Sequence, residues 1–105
     1  MSEVIGVVDV VAAEGKADEV VAAFEACMTA THQEEGCLTY ALHRDNANPN
    51  HFVHVERWRS QADLDAHFKQ PHMAPIAQAL ELLAEPPQIY FCEPVEVGDA
   101  SKGLL

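Results

Sequence analysis

The sequence predicts an α+β domain in which two helical stretches cover one face of a four-stranded antiparallel sheet, in the order β-α-β-β-α-β. Three observations carry this. Runs rich in β-branched residues open the chain and recur in its middle. Apolar residues at helical spacing lie between and after those runs. A dense turn signal, Asp45-Asn46-Ala47-Asn48-Pro49-Asn50, joins the two middle strands as a hairpin.

Each element has its own signature. Residues 4–12, Val-Ile-Gly-Val-Val-Asp-Val-Val-Ala, read as the first strand, and Ala-Glu-Gly-Lys turns the chain. From Lys16 to about Glu34, Val20, Phe24, Cys27, Met28 and Thr31 fall on one helical face. Asp18 and Glu19 suit the first turn, and Gly36 is a C-cap candidate. Glu34 and Glu35 break a local rule, because the C-terminal end of a helix disfavours negative charge. They mark either a solvated end or a site, since functional positions are where local rules fail.

Cys37 to Arg44 reads as the second strand, with Leu38, Tyr40 and Leu42 on one face, and His51 to Trp58 as the third. Ser60 is an N-cap with Asp63 three residues on, and Leu64, His67 and Phe68 give a short amphipathic helix. Pro71 interrupts it, and Pro75 suits the first turn of a further segment carrying Ile76, Ala79, Leu80 and Leu83. Pro86-Pro87 stops that segment. The last strand runs from Gln88 to about Val97, with Pro94 confining its far part to an edge. Residues 1–97 thus form one domain, and 98–105 are expected to be a flexible tail.

This order is the ferredoxin-like, split βαβ arrangement. Its uncovered sheet face is usually polar. Here the first strand is apolar on both faces apart from Asp9, and the third offers Val53 and Val55 on one face, Phe52 and Trp58 on the other. A sheet apolar on both sides needs a second cover, and the same sheet from another copy supplies it by two-fold symmetry. A homodimer is expected.

Composition removes several classes of partner. With 17 acidic against 6 basic residues the chain repels phosphate backbones and anionic membranes, so neither nucleic acid nor membrane is expected. No apolar run approaches the ~20 residues of a membrane span. The start, Met-Ser-Glu-Val-Ile, lacks a basic region and a cleavage site, which reads as cytoplasmic. Cys27, Cys37 and Cys92 are odd in number and widely spaced, and each reads as a buried thiol acting as a small hydrophobe. No glycine-rich phosphate loop appears, so no cofactor is expected. His51 and His54 face opposite ways on one strand, and no metal site is expected from them.

Candidate chemistry gathers in two places. His54, Glu56 and Trp58 alternate on the third strand and, with Phe52, point to one face. They read equally as a pocket with a few polar groups or as a satisfied core pair, with Glu56 held by Arg44 or a backbone group. His67 and His72 flank the break at Pro71. Histidine can take a proton from a phenol and return it, so His67 and His54 are the candidate bases. His67 is placed at the edge of the buried stripe, and His72 reads as a cap of the next helix. Tyr40 could donate its hydroxyl into the same cavity. His32, His43 and His51 read as surface residues.

Three segments resemble the antibiotic biosynthesis monooxygenase family. They are Glu34-Glu35-Gly36-Cys37-Leu38-Thr39-Tyr40, Val55-Glu56-Arg57-Trp58, and Leu64-Asp65-Ala66-His67-Phe68-Lys69-Gln70-Pro71-His72-Met73. The resemblance spans about residues 3–96 and implies a dimeric α/β barrel. It also implies a cofactor-independent monooxygenase acting with O₂ on an electron-rich aromatic, of quinol or anthrone type. Catalysis would fall to His67 or His54, and substrate binding to Trp58, Tyr40, Glu56, Phe68 and His72. An isomerase of a small phosphorylated or hydroxylated ketone, of the autoinducer-2 processing kind, is the alternative, with a non-catalytic dimeric binding module as a third reading. Haem-degrading relatives hold haem with an Asn and a His. Here those positions fall at Val8 and about Ala77, which argues against that branch.

Overall fold

The computed structural model describes residues 3–105. Strand β1 (Val4–Val11) leads into helix α1 (Ala17–His32), then strands β2 (Cys37–Asp45) and β3 (Asn48–Trp58). Helix α2 (Gln61–Phe68) follows, then a 3-10 turn (Pro71–Met73), helix α3 (Ala74–Ala79) and a second 3-10 turn (Leu80–Leu82). Strand β4 (Gln88–Cys92) closes a sheet of order β2-β3-β1-β4, and a short helix α4 (Ala100–Gly103) lies beyond it. Every pairing is antiparallel. This is the ferredoxin-like fold.

Period-two patterning positions the site. Gly6, Val8 and Val10 of β1 pair with Glu56, His54 and Phe52 of β3, so all six positions share the helix-covered face. That face holds the core: Val10, Val20, Phe24 and Phe52 at one end; Cys27, Tyr40, Trp58 and Leu64 at the other. Gly6 is there because a Cβ would stand 2.6 Å from Glu56 Cγ, so the glycine leaves room for a buried carboxylate.

Several boundaries and faces differ from expectation. A register shift between Cys37 and Thr39 makes Leu38 a bulge residue, so Leu38 is exposed while Cys37, Tyr40 and Leu42 turn inward. Helix α1 ends at His32 with Gln33 as a right-handed cap, so Gly36 does not cap it. Gly36 is needed for space, since a Cβ there would meet Asp63 Cβ at 2.3 Å. Strand β4 stops at Cys92 rather than Val97. Residues 98–105 are exposed and carry α4, capped by Asp99 accepting from the Ser101 amide. The Ser60 cap is as expected, accepting from the Asp63 amide.

The opposite sheet face carries Ile5, Val7 and Val55 and also an ionic cluster. His51 lies between Asp45 (2.8 Å) and Asp9. His51 is therefore only partly exposed, not a free surface histidine. Donating to Asp45, then to Asp9, raises the His51 pKa, and accepting from His51 lowers that of Asp45. A raised histidine stabilises the fold fully below its unfolded value of about 6.5 and loses that contribution as pH rises through the folded value. The lowered Asp45 acts in the other sense, its contribution vanishing as pH falls through its folded value. The cluster thus supports the fold most between those limits. In thermal unfolding, His51→Ala should lower Tm at pH 6 and approach wild type at pH 8.5; an equal loss at both pH values would show that the charge is idle.

Candidate active site

Between sheet and helices lies a cavity of about 130 Å³. Val8, Phe24, Ile76 and Leu83 form its apolar body, and Tyr40, His54, Glu56 and His67 bring the polar groups. Phe68, Leu80, Ile89 and Phe91 line it too and are each about half exposed, so they form its mouth. Phe68 and Phe91 meet there edge to face at 6.1 Å.

His67 is fully buried, not at the edge of the stripe as the spacing suggests. Its Nδ1 lies 2.7 Å from Glu34 Oε2. A carboxylate only accepts, so Nδ1 carries the hydrogen and Nε2 keeps a lone pair. That Nε2 is buried without a hydrogen-bond partner. The Trp58 ring packs at 4.5 Å and Tyr40 at 5.4 Å, fixing the imidazole plane.

Glu34 is the residue that sequence reasoning left unassigned. Its Oε2 also takes the His72 Nε2 at 2.9 Å. The signal was the acid at the wrong end of α1: two imidazoles offset there what the helix dipole disfavours. His72 is accordingly a clamp on Glu34 and does not line the cavity. The expectation of no metal site was drawn from His51 and His54. The structure instead brings together Glu34, His67 and His72, whose donor atoms lie within 4.8 Å of one another.

The strand trio separates by role. His54 is fully buried, packed on Tyr40 at 4.2 Å and Phe24 at 5.0 Å. Its Nε2 is 3.2 Å from Glu56 Oε2, yet the angles are not those of a hydrogen bond, so the two are in close contact without one. Glu56 is held by the Trp58 indole N–H, which donates to Oε1 at 2.9 Å. Arg44 is not its partner; that guanidinium sits 5.0 Å over the Phe52 ring. Trp58 is wholly buried against Glu56 and His67 and does not line the cavity.

Tyr40 does line the cavity, its hydroxyl 3.7 Å from Cys27 Sγ. Burial pushes its pKa well above the usual phenol value, so Tyr40 stays a protonated donor. Burial likewise raises Cys37, to about 11, and Cys27, so neither is an activated nucleophile. The three cysteines are free, but only Cys27 is fully buried; Cys37 is partly so, and Cys92 is exposed on β4 and not the buried thiol expected. Among the described residues no helix is long and apolar enough to cross a membrane.

Comparison with known proteins agrees with this architecture. The family model described as antibiotic biosynthesis monooxygenase matches residues 4–79. Rv0793 of Mycobacterium tuberculosis is 35% identical over 80 residues, covering 75% of this chain and 78% of its own. The structure of Rv0793 superposes with a TM-score of 0.85 at 28% identity, over 93% of this chain and all (100%) of that one. PA3566 of Pseudomonas aeruginosa gives 0.83 at 25% identity, over 91% and 97% of the two chains. The protein sll1783 of Synechocystis is 32% identical over 75 residues, 70% of this chain, which spans about half (51%) of its length. A family match across most of the chain, on the same fold, shows that this protein belongs to the antibiotic biosynthesis monooxygenase family.

Proposed function

We propose that this protein is a cofactor-independent monooxygenase that oxidises a one-ring hydroquinone with O₂, with His67 as the general base. The observation that carries the reading is the buried, unpartnered Nε2 of His67 on an apolar cavity, its tautomer fixed through Nδ1 by Glu34. A hydroquinone that loses a proton to Nε2 becomes an electron-rich anion able to reduce O₂. One oxygen atom enters the ring and the other leaves as water, giving a hydroxyquinone. The protein's share is to hold the ring, take the proton and exclude water. Tyr40 supplies a donor to a ring oxygen, since its present partner is only a weak sulfur contact. His54 beside Glu56 is the second candidate base.

Cavity size selects among aromatics. About 130 Å³ is close to the roughly 150 Å³ apolar cavity known to hold benzene, and small for a three-ring anthrone. Charge selects as well. Arg57 pairs with Glu3, Arg59 with Asp63 and Glu35, and no Lys or Arg lines the cavity among the described residues. A neutral substrate fits better than the phosphorylated ketone of the isomerase alternative. Oxygen uptake with one-ring hydroquinones and with an anthrone tests this. The reading expects uptake with the former. Ligand-induced shifts of the His67 ring resonances without any uptake would favour the binding module instead.

We also propose that the working unit is a homodimer. Val7 and Val55 lie half-buried on the uncovered sheet face, beside a groove of about 830 Å³ shared with Val95 and Leu104. A second copy would cover them in a closed two-fold pair. Sedimentation at micromolar concentration should give twice the 11.5 kDa chain mass; a species of 11.5 kDa alone would refute this.

A further inference from the structure

We propose that Glu34, His67 and His72 form a binding site for a divalent cation of the zinc class, and that its occupation switches His67 from base to hydrogen-bond donor. The ring nitrogens His67 Nδ1 and His72 Nε2 both aim at one point, the Glu34 Oε2 atom, at 2.7 and 2.9 Å. Two imidazole lone pairs and a carboxylate converging on one point are a tetrahedral set with one position open. Ligands at about 2.0–2.1 Å from zinc stand about 3.3 Å apart. The two Glu34–His spacings need to open by only about half an ångström, with the carboxylate backing off along its own torsions, and the two ring nitrogens, which lie within 4.8 Å of each other, need to stand about 3.3 Å apart.

Access and charge agree. His67 is buried, but the His72 and Glu34 side chains keep 18% and 14% exposure, so an ion reaches the group from the surface without crossing the cavity. The net charge of −11 favours cations near the protein. Placed at the C-terminal end of α1, Glu34 gains from any positive partner. Nitrogen and carboxylate donors suit zinc, cobalt and nickel better than calcium or magnesium.

The ion would bind the edge of His67 that faces Glu34. Coordination through Nδ1 displaces the hydrogen now on that atom, and the neutral ring then carries its hydrogen on Nε2. The cavity would face a donor in place of a base. The protein would be competent without the ion and silenced by it.

The test uses the untagged, chelator-treated chain, titrated with Zn²⁺ against a chelating dye and with Co²⁺ by visible absorption. One equivalent of Zn²⁺ should bind, and Co²⁺ should give tetrahedral d–d bands. Glu34→Gln and His72→Gln should each weaken binding by more than the roughly 10–100-fold that loss of a ligand's hydrogen-bond partner costs. His51→Ala, which removes the histidine held between Asp45 and Asp9, should leave binding unchanged. Circular dichroism confirms that each variant is folded. Binding insensitive to Glu34→Gln and His72→Gln, or no stoichiometric binding, overturns the proposal. This readout needs no substrate, so it stands whether or not hydroquinone turnover is found. Where turnover is found, Zn²⁺ should abolish it in wild type and not in His72→Gln.

Discussion

His67→Ala is expected to lower turnover of a competent hydroquinone by about 10²–10⁴-fold, the usual worth of one positioned acid–base group. The loss should fall on kcat and kcat/KM alike, because proton removal is felt in the transition state rather than in binding. Folding should survive well enough to measure, as Glu34 and His72 keep each other as partners when the ring is removed. His54→Ala should cost less than His67→Ala, since His54 touches Glu56 without hydrogen-bond geometry. His72→Ala should cost least, because it acts only through Glu34. Oxygen uptake by the three variants, with circular dichroism alongside, separates them. Wild-type rates in His67→Ala with loss in His54→Ala would move the base to the sheet.

The largest effect on stability is expected at Trp58. Its side chain is fully buried between Tyr40 and His67, and truncating such a residue costs about 3–5 kcal/mol. At about 4–8 °C per kcal/mol for a domain of this size, Trp58→Ala should lower Tm by at least about 12 °C. Trp58→Phe isolates the polar part. It keeps a ring but strips Glu56 Oε1 of its donor, and an unpaired buried polar group costs about 1–3 kcal/mol. Adding Glu56→Met to Trp58→Phe should recover most of that, because neither member of the indole–carboxylate pair is then left unpaired. A Trp58→Phe variant melting with wild type would show that the indole N–H does not hold Glu56.

The fold was legible because hydrophobic period changes at each element boundary and turn chemistry marks the hairpin. Details that depend on three-dimensional space were not. Period two alone puts Leu38 on the face of Tyr40, and only the bulge in the β2–β3 ladder turns it outward. Gly36 looks like a helix cap in sequence, yet what it avoids is the Asp63 side chain. At the site, alternation on β3 brought His54 and Glu56 to the cavity correctly. It could not separate Trp58, two residues further along the same face, which lies behind the wall. His67 and Glu34 are 33 residues apart, so their contact has no local pattern. The one trace was an acid where the α1 dipole disfavours it. His72 looked like a cap for the same reason: its real partner is distant in sequence.

The central claim, that this cavity oxygenates a one-ring hydroquinone, is tested most directly by turnover under ¹⁸O₂ with immediate mass analysis of the product. The account predicts a hydroxyquinone carrying one ¹⁸O atom, the second appearing in water, and loss of that product in His67→Ala. An unlabelled product, or a simple quinone with hydrogen peroxide as the only reduced form of oxygen, would contradict it.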